Sequence, residues 1–151
     1  MAENATATYS PRRMYNLRLM KNPLDLVRLL EALGDPTRLR LLHLLRAGEL
    51  CVCYLVEVLA DPQPKISRHL AYLRRTGLVA ARRDGKWIHY RLQKPQDVSL
   101  DRVLTAVLDA SAGERQIQRD RGTLENACCA VRLPEALRNA PRPQLAGPND
   151  R

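Results

Sequence analysis

Four cysteines carry the reactive potential of this chain, and they stand in two close pairs, Cys51 with Cys53 and Cys128 with Cys129. A thiolate is both a nucleophile and a ligand for soft ions. The pairs could therefore bind a thiophilic ion, register oxidation, hold a zinc through four sulfurs or fill apolar space. Spacing separates these readings. CxC is a poorer zinc spacing than CxxC, and a permanent zinc would give no switch. Adjacent Cys128 and Cys129 are too constrained to bridge easily to each other. On a regular helix Cys51 and Cys53 would point about 200° apart, so both reach one ion only if Cys51 lies before or at a helix start. A helix N-terminus also lowers a thiol pKa. Thiol catalysis would need an activated cysteine in an oxyanion loop; no Gly-rich loop adjoins any cysteine, and an enzyme is not expected.

The thiols are positioned by residues 49–76, ELCVCYLVEVLADPQPKISRHLAYLRRT. Leu50, Leu55, Val58 and Leu59 give a first helical pattern an apolar face. A break follows at Asp61, Pro62, Gln63 and Pro64. In a second pattern Ile66, Leu70 and Leu73 recur at i, i+4 and i+7, so one stripe faces a core, while Lys65, Ser67, Arg68, His69 and Tyr72 load the other side with partners for phosphates and base edges. Two short helices with the polar load on the second form a helix-turn-helix pattern, with Cys51 and Cys53 at the mouth of its first helix. Between Gln63 and Lys94 nine basic residues face Asp84 alone, and the whole chain carries a net charge of +9. A polyanionic partner is expected.

Residues 1–22 read as a flexible arm in which Arg12, Arg13 and Lys21 could touch phosphates. Residues 23–112 read as the DNA-binding and dimerisation domain. Pro23 starts a helix with Leu26, Val27, Leu30 and Leu33 apolar, ended by Gly34. Asp35 caps a second, with Pro36 at its first position and leucines nearly all round, as a central buried helix requires. Gly77 stops the reading helix. Two strands, 78–83 and 86–92, joined by an Asp84–Gly85 turn, make a basic hairpin in which Trp87, His89 and Arg91 alternate with Ile88, Tyr90 and Leu92. That hairpin is a wing offering Arg82, Arg83 and Lys86 to phosphates. A further helix over 98–112 has an apolar stripe that, with the first helix, exceeds the needs of one core, so a dimer is expected. Residues 113–151 read as a C-terminal extension: a short polar helix at 116–126, the Cys128 and Cys129 pair, and a disordered tail after Pro134. The fold class is mainly α with a small β-hairpin, a dimeric winged helix-turn-helix. No apolar run spans a membrane and the N-terminal residues lack a signal-peptide core, so a cytoplasmic, thiol-reducing setting is expected.

The segments ALGDPTRLRLLHLLRAGELCVCYLVEVL and QPKISRHLAYLRRTGLVAARRDGKWIHYRL resemble the ArsR family of bacterial metal- and metalloid-responsive repressors, with ELCVC and SRHL the most specific pieces. The resemblance covers residues 26–108. It implies a homodimer that binds an inverted-repeat operator in double-stranded DNA and releases it when an inducer ion binds. It also implies that Gln63, Lys65, Ser67, Arg68, His69 and Tyr72 belong to the DNA-reading helix. Arsenite-responsive members with CVC often carry a third cysteine three residues further on, where this chain has Val56. Cys128 and Cys129 are the candidates to supply what is missing.

As(III) and Sb(III) prefer three sulfurs in a pyramid, and soft ions select thiolates. Cys51, Cys53 and either Cys128 or Cys129, from the same or the other protomer, would meet that count. No permanent cofactor is expected. The same thiolates would take cadmium or lead, or respond to oxidation, and an inducer-independent DNA-binding protein is the remaining reading. Zinc or nickel sensing at the late helix is disfavoured, because residues 98–119 hold no histidine. His43, His69 and His89 read as a core neighbour, a DNA contact and a wing residue.

Overall fold

The computed structural model describes residues 24–145; the expected arm, Pro23 and the last six residues lie outside them. The elements are α1 (Leu24–Leu33), α2 (Pro36–Leu45), β1 (Leu50–Cys51), α3 (Val52–Leu59), α4 (Gln63–Arg75), β2 (Val79–Asp84), β3 (Trp87–Leu92), α5 (Val98–Ser111) and α6 (Arg115–Cys129), then a 3-10 turn at Glu135–Leu137.

Helix α2 is central, packing on α1, α4, α5 and α6. Its start is fixed by Asp35, which sits extended and accepts a hydrogen bond from Arg38 N at 2.9 Å, with Pro36 in the first turn. That satisfies one of the four amides a helix start leaves unpaired. Leu41, Leu42, Leu44 and Leu45 are all buried. Two polar ties bind α2 to α5: His43 Nε2 lies 2.9 Å from Ser111 Oγ, and Arg46 meets Asp109 at 3.0 Å.

Helix α4 starts two residues earlier than the four-residue break suggests. Gln63 and Pro64 belong to it, because a proline in the first turn gives up only an amide that has no helical partner. The link from α3 is short, made by Ala60 in the left-handed region at φ 53°. The end of α4 is fixed by Gly77 at φ 81°. Leu78 N bonds Leu73 O at 3.0 Å and Gly77 N bonds Arg74 O at 3.1 Å, the paired bonds of a glycine-ended helix.

Strands β2 and β3 form the expected hairpin, but its turn is Gly85–Lys86, because Asp84 still pairs with Trp87. The two-residue β1 adds an unanticipated third strand, in the order β1-β3-β2, with Leu50 opposite Tyr90 and Cys51 opposite His89. This makes β3 a middle strand, flanked on both edges at His89 and Tyr90. The expected alternation fails there: His89 and Tyr90, successive residues of β3, are both buried, and His89 is a wing residue turned inward.

Three further departures come from packing. In α1 the buried apolar side chains are Leu29, Ala32 and Leu33, while Leu26, Val27 and Leu30 of the expected stripe remain 42–50 % exposed. Helix α6 runs fifteen residues, not the short polar stretch expected. Its Ile117, Leu124 and Ala127 are buried, and Asp120 is held bidentately by Arg40 of α2 at 2.6 and 2.8 Å. Beyond Pro134, where a disordered tail was expected, Leu137 is fully buried and Ala140 buried, and the 3-10 turn packs on α3.

Candidate functional site

Cys51 is the N-cap residue of α3, extended at φ −65° and ψ 145°, and Cys53 lies in the first turn. This is the arrangement that lets both sulfurs converge, and they stand 2.6 Å apart. Cys51 is buried and Cys53 half-buried. The Cys53 S–H donates to Cys51, and this bond pushes the Cys51 pKa down to about 7 against the opposing effect of burial. The same bond, aided by burial, pushes Cys53 up. The bond thus favours the negative charge on Cys51 and the proton on Cys53.

Cys128 and Cys129 close α6, which packs on α3. Cys128 is half-buried against the core, where burial raises its pKa, and Cys129 is exposed. Among the described residues no three histidine, cysteine or carboxylate side chains are already grouped to hold an ion. The structure brings Cys51 and Cys53 together and does not bring either α6 thiol into a set with them. Two converging soft donors fit a thiophilic ion, one sulfur short of a pyramid.

Sequence reasoning missed Tyr54. Its ring is 0 % exposed, yet its hydroxyl has no hydrogen-bond partner among the described residues. Burial pushes its pKa up, and charge on Cys128, then on Cys53, acts in the same direction. The available signal was a tyrosine embedded in an apolar run, whose hydroxyl must find a partner or remain orphaned.

The polar face of α4 divides in three. Gln63 and Arg68 are exposed and Ser67 half-buried. Lys65 is paired with Asp61 at 2.9 Å, and His69 Nδ1 lies 3.5 Å from the α2 cap Asp35. Tyr72 is clasped by the Arg38 guanidinium at 4.2 Å and that of Arg75 at 5.6 Å. Arg38 itself donates to Ala32 O and Glu31 O, so it fixes α4 to α1 and α2, a role not foreseen.

The wing cations differ among themselves. Arg83 and Lys86 are exposed; Arg83 Nε donates to Gly85 O at 3.0 Å and the Lys86 ammonium lies 5.0 Å from the Trp87 ring centre. Arg82, expected beside them, is instead bound to Glu49 at 2.5 and 2.7 Å and to Asp84 at 3.4 Å. His89 lies beneath, its Nδ1 3.9 Å from Glu49, and burial together with the Arg82 charge lowers its pKa. Glu49 thus ties the strand that leads into Cys51 to the wing.

Residues 35–81 match the family profile described as "Bacterial regulatory protein, arsR family". The arsenic resistance transcriptional regulator ArsR2 of Pseudomonas putida is 45% identical over 83 residues, 54% of this chain and 72% of that protein. The arsenical resistance operon repressor of Escherichia coli K12 is 55% identical over 67 residues, 44% of this chain and 57% of its own length. ArsR1 of the same Pseudomonas is 48% identical over 82 residues, covering 54% of this chain and 64% of that protein, so the chain spans less than two thirds of these last two relatives. Among solved structures, HlyU from Vibrio cholerae superposes with a TM-score of 0.52 at 32% identity, covering 61% of this chain and 97% of HlyU. The homodimeric winged helix-turn-helix domain of Mb0332 from Mycobacterium bovis shares the fold, at a TM-score of 0.50 and 24% identity over 66% of this chain and 94% of that domain.

Proposed function

The chain belongs to the arsR family of bacterial regulatory proteins, and from that premise we propose that it is a metalloid-responsive repressor. It binds an operator as a homodimer in the cytoplasm and releases it when As(III) or Sb(III) is captured by Cys51, Cys53 and a third thiolate from the end of α6. The observation that carries the reading is the convergence of the Cys51 and Cys53 sulfurs, 2.6 Å apart, at the start of the helix that leads directly into α4. The names of the 45–55% identical relatives, which are regulators of arsenic resistance, support it.

Two copies of α4 enter successive major grooves, so the operator is an inverted repeat with half-sites about one helical turn apart. Gln63, Ser67 and His69 read bases, while Lys65, Arg68, Arg83 and Lys86 hold the backbone. Capture of the ion fixes the junction of β1 and α3 and so changes where α4 sits. By linkage, operator DNA weakens metalloid binding by the same factor by which the metalloid weakens DNA binding, roughly 5–150-fold for couplings of ordinary size. Release switches on genes that export or detoxify the ion.

The test is a gel-shift and reporter assay of Cys51→Ser and Cys53→Ser. Both variants are expected to bind operator normally and to ignore arsenite and antimonite. Normal induction of either one would remove the CVC pair from the sensing site. Cadmium, lead or oxidant in place of arsenite distinguishes sensing of another thiol-directed signal.

A further inference from the structure

The two outer strands of the sheet belong to different working parts of the chain. Strand β1 leads through Cys51 into α3, and β2 is the first strand of the wing. Both pair with β3 and not with each other, so two strand spacings, roughly 10 Å, separate their backbones. The Arg82 side chain, on β2, meets Glu49 across the face of β3. Its Nε donates to Glu49 Oε1 at 2.7 Å, and its Nη2 lies 2.5 Å from the same oxygen. Its Nη1 lies 3.4 Å from Asp84 Oδ2.

The register places this link beside the thiols. Cys51 stands opposite His89, and His89 stands opposite Arg82. Directly opposed residues project on one face of a sheet, so Cys51, His89 and Arg82 form a row across all three strands. Glu49, two residues before Cys51, closes that row: the guanidinium at one end is held by the segment that carries the thiol at the other. The His89 ring lies under the closure, its Nδ1 3.9 Å from Glu49 Oε1. A displacement of Cys51 therefore reaches β2 by two routes, the backbone ladder through β3 and the Glu49–Arg82 pair. The paired side chains are 39% and 31% exposed, and at such exposure an ion pair adds little to stability. What distinguishes this one is that it joins the strand of the thiols to the wing.

We infer that Glu49 is a positioning residue that carries the state of the thiol site to the wing: by holding Arg82 it makes the hairpin follow β1 when an ion draws on Cys51. This rests on the metalloid-sensing reading and assigns the route by which that site lowers operator affinity. Arg82 acts inside the protein, its guanidinium nitrogens turned to Glu49 and Asp84, and the pair stays closed on and off DNA. Phosphate contact on the wing is left to Arg83 and Lys86, which are exposed.

The experiment uses the full, reduced chain and its own promoter DNA. Operator affinity is measured by fluorescence anisotropy with and without sodium arsenite, and arsenite affinity by titration of the DNA-free protein. The quantity read is the factor by which arsenite weakens operator binding. In Glu49→Gln and in Arg82→Gln that factor should fall roughly 2- to 30-fold below the wild-type value, with arsenite affinity of the free protein unchanged. The double variant should lose no more than either single one, because the same interaction is removed in all three. Arg82→Lys, which keeps a cation within reach of the carboxylate, should retain most of the coupling. Arg82→Gln should also leave the slope of log operator affinity against log salt as in wild type. A slope lower by about 1 would put Arg82 on a phosphate and overturn its internal role. A wild-type factor in both single variants would overturn the relay while leaving arsenite sensing in place, and so would a loss of arsenite affinity in step with the lost coupling. Operator binding by wild type that ignores arsenite would instead remove the sensing reading itself.

Discussion

A thiol that accepts a hydrogen bond from a second thiol two residues away is prepared for exchange before any ion arrives. Cys51, held down to about 7 by the Cys53 S–H, is expected to show a rise in ultraviolet thiolate absorbance through about that pH. The step should vanish in Cys51→Ala, and in Cys53→Ala, where the donor is gone, it should move up toward the ordinary thiol range. The stability sign follows. A pKa lowered on folding contributes stability that is complete above the unfolded thiol value and lost as pH falls through about 7. Cys53, shifted the opposite way, contributes stability below the ordinary thiol range that is lost as pH rises beyond it. Urea unfolding of the reduced chain should therefore be most resistant near the ordinary thiol pKa, and Cys51→Ala should flatten the acidic side of that curve. At this scale the cysteines were legible because residue type and spacing alone limit what two sulfurs can do. Tyr54 and the capture of Arg82 by Glu49 were not, because an orphan hydroxyl and an ion pair between positions 49 and 82 exist only once distant segments have packed.

Helices whose ends are marked by caps and whose apolar residues recur at helical spacing announce themselves, and α2, α4 and α5 did. Strand β1 did not, since two residues offer no period to read. The true length of α6 was hidden because its buried residues are diluted by charges, and because the partner of Asp120 lies eighty positions earlier. That pair is the main polar tie between α6 and α2, with the Asp120 side chain only 4% exposed. Arg40→Ala should cost about 3 kcal/mol in urea unfolding, since it strands a buried carboxylate, though Gln116 Nε2 at 2.8 Å offers partial relief. On the reading helix, exposed Arg68 has a different signature. Arg68→Ala should leave stability nearly unchanged while weakening operator binding and lowering the slope of log affinity against log salt by about 1. An unaltered slope would place the phosphate contacts elsewhere.

Leu26, Val27 and Leu30 form an apolar face on α1 that is 42–50 % exposed, beside α5, against which α1 packs. The surplus of apolar surface is thus real, although it lies on a face of α1 beside the one that Leu29 and Ala32 bury. Burying it in a second copy fits the dimer that an inverted repeat requires. Leu30→Glu is expected to sediment as a monomer and to lose most of its operator affinity without unfolding. A final consequence follows from the short strand β1. Cys51 is bonded through its backbone into the same sheet as the wing, and it is also the residue from which α3 begins. It is a splice between the two arms of one clamp. Whatever grips its sulfur pulls on both arms together, so a nuclease footprint should fade over groove and flank in a single step, with no stage at which one arm still holds.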